Sequence, residues 1–178
     1  MKRHLFLTGP IGCGKSTAIT VALGEKITQC GGFLTRRYRD PYLHFTLESP
    51  DGNVKSTFLD FASGKPEVDL AVFSKNYLRG ETLVLDEIGG IELLNPEFAS
   101  ALEAVLSSGI PILGVLKGEG AAGALIDKLG LTEEYHWAAG KLRQQLYNDP
   151  NTLVYTCTQY DENALLLVRR WVEEYCHD

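Results

Sequence analysis

Polar and apolar residues along the 178-residue chain divide it into short buried runs and longer amphipathic ones. Leu5-Phe6-Leu7-Thr8, Thr82-Leu83-Val84-Leu85, Pro111-Ile112-Leu113-Gly114-Val115-Leu116 and Thr152-Leu153-Val154-Tyr155-Thr156 are apolar without alternation. That is the pattern of strands covered on both faces of a parallel sheet. Between them the pattern predicts helices. One runs from Ser16 to about Glu25. A second follows Asn95-Pro96-Glu97, which supplies a cap, a proline at the first helical position and an acid in the first turn; it runs from Phe98 to about Ser107 and stops at Gly109. Asp161 caps a closing helix whose Leu165, Val168, Trp171, Val172 and Tyr175 share one stripe.

A different pattern occupies the segment before the acidic strand. Phe33 to Tyr38 reads as a strand, and Leu43 to Glu48 and Val54 to Leu59 flank Ser49-Pro50-Asp51-Gly52-Asn53, a turn signal. An antiparallel hairpin region is therefore inserted between the first βα unit and the next parallel strand. Residues 119–146 carry the weakest pattern, helical and loop-like. They read either as a surface helix or as a lid hinged at Gly118, Gly120 and Gly123. The alternation of strands and helices predicts an α/β fold, a mainly parallel sheet flanked by helices. No linker, repeat or low-complexity tract divides it, so residues 1–178 read as one domain.

Composition narrows the function classes. Hydrophobic residues make up 44% and charged residues 22%, an ordinary globular balance. The net charge of −6 and the small size of the Arg36-Arg37-Arg39 cluster speak against nucleic acid as a main partner. No apolar run reaches a membrane span, and Met1-Lys2-Arg3-His4 leads straight into the first strand without a signal peptide. A cytoplasmic monomer is the expectation. Cys13, Cys30, Cys157 and Cys176 lack metal-ligand spacing and read as free thiols, with Cys13 read first as a small packing residue of a glycine-rich loop and second as a site of oxidative inactivation.

That loop carries the chemistry. Gly9-Pro10-Ile11-Gly12-Cys13-Gly14-Lys15-Ser16-Thr17 has the phosphate-loop (Walker A) spacing and stands between a strand and a helix, the context the motif requires. Its glycines let successive N–H groups turn toward phosphate oxygens, and the helix N-terminus adds positive charge. Lys15 would reach the β- and γ-phosphates, and Ser16 would offer its hydroxyl to Mg²⁺. Thr82 to Glu87 then ends a buried strand in two acids, a Walker B pattern. Asp86 would hold Mg²⁺ and Glu87 would orient or deprotonate a water. Further candidates are Arg36, Arg37 and Arg39 as a cation near the leaving oxygen, Lys117 as a sensor of the γ-phosphate, and Glu92 as a water-mediated metal ligand or a cap.

These stretches resemble the small cancer-related nucleoside-triphosphatase family, single-domain enzymes with a RecA-like core. The likeness rests on the loop at 9–17, Gly32-Phe33-Leu34-Thr35, Asp86-Glu87-Ile88-Gly89-Gly90-Ile91-Glu92-Leu93, and Pro111 to Val115. It fades between about 116 and 150. The resemblance implies Mg²⁺-dependent hydrolysis of several nucleoside triphosphates to diphosphate and phosphate. Two departures stand out. The family's Arg-x-Gly-Phe element is replaced by Arg39-Asp40-Pro41-Tyr42 running into Leu43-His44-Phe45, and its Thr-x-x-Asn-Arg is only partly echoed by Thr158-Gln159-Tyr160-Asp161-Glu162-Asn163.

Two other functions compete. A small-molecule or nucleotide kinase uses the same loop spacing but needs an acceptor pocket and an arginine-bearing lid, and no such segment is visible. A non-enzymatic nucleotide switch would retain triphosphate without releasing phosphate, and the Asn-Lys-x-Asp element of guanine-reading switches is absent.

Overall fold

Strand β1 (His4–Thr8) lies one strand in from the edge of the parallel half of a single eight-stranded sheet, and every one of its residues is buried. In the computed structural model, which describes residues 1–120, 122–159 and 161–177, β1 leads through the glycine-rich loop into α1 (Lys15–Leu23). A short 3₁₀ segment, Gly24–Gln29, connects to β2 (Gly31–Tyr38). The hairpin region follows as β3 (His44–Glu48), β4 (Lys55–Asp60) and a two-residue β5 (Glu67–Val68). Two further 3₁₀ turns lead to β6 (Leu83–Ile88). Then come α2 (Pro96–Ser107), β7 (Ile112–Leu116), α3 (Gly123–Leu129), α4 (Thr132–Asn148), β8 (Thr152–Thr156) and α5 (Glu162–Tyr175).

The strand order is β5-β4-β3-β2-β6-β7-β1-β8. From β2 to β8 all pairings are parallel, and β2-β3, β3-β4 and β4-β5 are antiparallel. β7 therefore lies between β1 and β6, which carry the glycine-rich loop and the acidic pair. The mainly parallel sheet with an inserted hairpin matches the pattern read from the sequence. The two small surprises are β5 and the 3₁₀ turns, too short to leave a periodic signal.

Both faces of the parallel half are apolar because neighbouring residues serve opposite layers. Phe6, Leu83, Leu85, Ile112 and Leu116 join one cluster with Phe98 and Leu102 of α2 and Tyr135, Leu142 and Leu146 of α4. Leu5, Leu7, Val84, Leu113 and Val115 join the other with Ile19 and Leu23 of α1 and Val168, Trp171 and Val172 of α5. Continuous apolar runs are the consequence of two-sided burial.

The expected caps are in place. Asn95 accepts from the Phe98 N–H and Asp161 from the Ala164 N–H. The weak segment 119–146 needs correction: it contains α3 and α4, whose Ile126, Tyr135, Leu142 and Leu146 are core residues. α4 is neither a hinged lid nor a plain surface helix. Its pattern was weak because only one narrow stripe of a polar helix is buried. Ala121 in that segment, and Tyr160 in the partial Thr-x-x-Asn-Arg echo, lie outside the described residues. Among the described residues no helix is long and apolar enough to cross a membrane.

Candidate active site

The glycine-rich loop closes at the carboxyl end of β1. Gly9, Gly12 and Gly14 take positive φ (129°, 78° and 92°), which a side chain would resist. Gly9 has a second constraint, since a Cβ there would lie 2.5 Å from the Cys157 carbonyl oxygen after β8. The loop thus curls tightly against the neighbouring strand. Lys15 folds back into it, donating to the Gly9 and Pro10 carbonyls at 2.9 and 2.6 Å, with Nζ 3.5 Å from Cys13 Sγ. A polyphosphate entering the curl would meet an ammonium already held at its centre.

The acidic strand reaches the same place from β6. Ser16 Oγ donates to Asp86 Oδ1 at 2.7 Å, joining residues 70 positions apart. The Thr35 N–H donates to Asp86 Oδ2 at 3.3 Å, and Thr35 Oγ1 donates to the Asp86 carbonyl at 2.9 Å. The Arg36 guanidinium stands 4.0 Å from Asp86 Oδ2. Asp86 is 1% exposed. Burial outweighs these partners and the neighbouring charge of Glu87 adds to it, so its carboxyl is raised to about 6. A buried carboxylate beside a hydroxyl, both hard oxygen donors, fits Mg²⁺, which is bound through one or two carboxylates and substrate phosphates.

Glu87 sits in an irregularity of the sheet. Leu85 pairs with Gly114 and Ile88 with Leu116, so β6 uses one residue more than β7 over this stretch. Glu87 takes φ 66°, the one non-glycine residue with positive φ among those described. Such a bulge bends the strand and re-aims side chains. Asp86 is left facing Ser16 and Thr35, while Glu87 turns to Lys117, whose Nζ is 3.5 Å from Oε2. A cavity of about 20 Å³ lies beneath, lined in part by Thr35, Glu87, Glu92 and Lys117.

The structure therefore brings together Gly9 to Thr17, Asp86, Glu87, Lys117 and Arg36. Arg37 lies over the Phe45 ring at 5.7 Å and Arg39 is exposed, so neither joins the cluster. Glu92 is 3% exposed, its oxygens taken by the Gly89 and Gly90 N–H groups. It caps a turn, which removes the water-mediated metal reading. Three participants escaped the sequence reading. Thr35 lay in a motif without an assigned role. Tyr135, whose hydroxyl donates to the Gly89 carbonyl at 2.9 Å, and Arg143, which donates to the Lys117 carbonyl, sit on α4 with no local signal. The burial of Glu92 also had none.

With that geometry in place, likeness to known proteins decides the family. A family profile described as NTPase matches residues 4–149. The chain belongs to this nucleoside-triphosphatase family. The human Cancer-related nucleoside-triphosphatase is 33% identical over 145 residues, covering 65% of this chain and 76% of that protein. Nucleoside-triphosphatase THEP1 of Methanocaldococcus jannaschii is 27% identical over 132 residues, covering 64% and 77%. The solution structure of a human cancer-related nucleoside triphosphatase aligns over 96% of both chains with a TM-score of 0.61 and 25% identity. The crystal structure of THEP1 from Aquifex aeolicus covers 98% of this chain and 99% of its own, with a TM-score of 0.63; at 14% identity it speaks for the fold alone. Membership carries the enzyme class, hydrolysis of nucleoside triphosphates. No observation favours transfer to an acceptor.

Proposed function

We propose that residues 1–178 act as one catalytic domain that hydrolyses nucleoside triphosphates to diphosphate and phosphate with Mg²⁺, by in-line attack of water on the γ-phosphorus. The observation that carries the reading is the 2.7 Å contact of Ser16 with Asp86, which joins the phosphate-binding curl to the acidic strand. Bound Mg²⁺ would neutralise charge on the β- and γ-phosphate oxygens. Ser16 and Asp86 are the residues that would hold it. Amides of Gly9 to Thr17 cradle the phosphates, and Lys15 exchanges its loop carbonyls for phosphate oxygens. Glu87 orients the attacking water and accepts its proton. Arg36, beside Asp86, is the one arginine of its cluster in place to reach the phosphates. The remaining contribution is positioning, which this chemistry mainly requires.

The net charge of −6 speaks against nucleic acid as a main partner, and a monomeric cytoplasmic enzyme is the accompanying expectation. The test is phosphate release from ATP, GTP, CTP and UTP with Mg²⁺, with and without added nucleosides, nucleotides and sugars. Release without an acceptor is expected. Consumption that appears only with an acceptor would make the chain a kinase, and tight nucleotide retention without release would make it a switch.

A further inference from the structure

Glu87 is held in a conformation that its own residue type disfavours, and strain of this kind persists only where the surroundings over-determine it. Those surroundings form a polar network below the site. The Lys117 N–H donates to the Ile88 carbonyl at 2.8 Å, fixing the residue after Glu87. Glu92 accepts from the Gly89 N–H and twice from the Gly90 N–H at 2.9 and 3.0 Å, fixing the next two. From α4, Tyr135 holds the Gly89 carbonyl and Arg143 the Lys117 carbonyl. Both charged side chains pass close to Gly90: a Cβ there would lie 3.0 Å from both Glu92 Oε2 and Lys117 Cε. The Lys117 ammonium ends 3.5 Å from Glu87 Oε2; burial raises the Glu92 pKa, and the lysine's charge opposes that rise.

A turn of this kind can be capped by an exposed Ser, Asn or Asp. Enclosing a full carboxylate among apolar side chains is costly unless it is paired. Here the carboxylate is held by backbone N–H groups, and the lysine whose stem passes beside it at Gly90 is the one that reaches Glu87. We propose that Glu92 and Lys117 are positioning residues for Glu87, acting as one unit: Glu92 locks the turn and anchors the lysine stem, and the lysine ammonium sets the Glu87 carboxylate toward the phosphate loop. The inference rests on the reading of Glu87 as the water-orienting group.

Steady-state hydrolysis of Mg·ATP and Mg·GTP, with calorimetric binding of the diphosphates, tests it. Glu92→Gln and Lys117→Met each lower kcat by about 10–100-fold, the scale of lost supporting contacts, with KM and diphosphate affinity within about threefold. The double variant is no slower than the worse single one, because coupled residues do not add. Lys117→Arg restores most of the rate, and Tyr135→Phe, which removes one contact to the turn, lowers kcat by a smaller factor. If Glu92→Gln does not fold, Lys117→Met, its arginine rescue and Tyr135→Phe carry the test. Full kcat in Lys117→Met, multiplicative losses in the double variant, or KM rising in step with the loss of kcat overturns the inference. Glu87→Gln separates the two failures. If it is inactive while Glu92→Gln and Lys117→Met are fully active, positioning alone is wrong; if it turns over normally, the role of Glu87 is wrong and the inference falls with it.

Discussion

The two ends of β1 bury polar groups in opposite ways. At the amino end, His4 is 1% exposed, its Nε2–H meets the Leu106 carbonyl at 3.2 Å, and its N–H meets the Asn151 carbonyl at 2.9 Å. Trp171 donates to the Arg3 carbonyl at 3.0 Å, and Thr152 donates to Asp149 at 2.6 Å. These bonds zip α5, the start of β8 and the end of α2 onto one strand. At the carboxyl end the partners are exchangeable: Lys15 rests on its own loop, and Asp86 shares a hydroxyl, an amide and a distant guanidinium. The amino end is held by hydrogen bonds between elements of the fold. The carboxyl end concentrates charge and positive φ where a polyphosphate would arrive, as expected for the edge of an α/β sheet that binds ligands.

If this division holds, variants at the two ends should fail differently. Lys15→Ala should lose turnover by at least about 10³-fold, the scale of a charged group on the transferring phosphoryl, and lose nucleotide affinity, while its melting temperature without nucleotide stays near wild type. Phosphate release and calorimetry check both. Trp171→Ala should do the reverse. It empties a fully buried site and should cost about 3–5 kcal/mol, lowering Tm by about 10 °C, with kcat per folded molecule unchanged. A fall in kcat as large as that of Lys15→Ala would erase the distinction.

Glu87→Gln should come next, losing about 10²–10³-fold in kcat, as expected when one aligned group at the reacting centre is removed, and retaining nucleotide. Loss of binding in parallel would make Glu87 part of the phosphate cradle. The smallest effect belongs to His4. Burial lowers its pKa below 6.5, against the partial pull of Asp149, and Nδ1 has no partner. Below pH 6.5 the unfolded chain takes up a proton that the folded one resists, so unfolding free energy falls as pH drops through that value. Denaturant titrations from pH 7.5 to 5 should show this slope in wild type and a shallower one in His4→Gln. Equal slopes would clear His4 of the effect.

Much of the candidate site's geometry was legible because its determinants are local. The glycines at 9, 12 and 14, with Lys15 and Ser16, work through backbone turns and helix geometry within nine residues, so their spacing carries the information. Asp86 was legible for a related reason: a two-sided apolar run must stop at the sheet edge, and the first acids after it mark that edge. The hairpin and both caps were equally local. The α4 segment resisted, since Tyr135, Leu142 and Leu146 form a stripe too narrow to outweigh the polar residues around it.

Which candidates work together was settled by packing across the sheet. Arg36, Arg37 and Arg39 are indistinguishable as residues, yet only Arg36 comes out beside Asp86, because strand alternation and the pairing of β2 with β6 and β3 send the others elsewhere. The bulge at Glu87, the burial of Glu92 and the reach of α4 to the Gly89 turn depend on how β6, β7 and α4 fit against one another. Chain order specifies groups that act within a turn of backbone. Contacts between residues far apart in the chain exist only once the layers have closed around them.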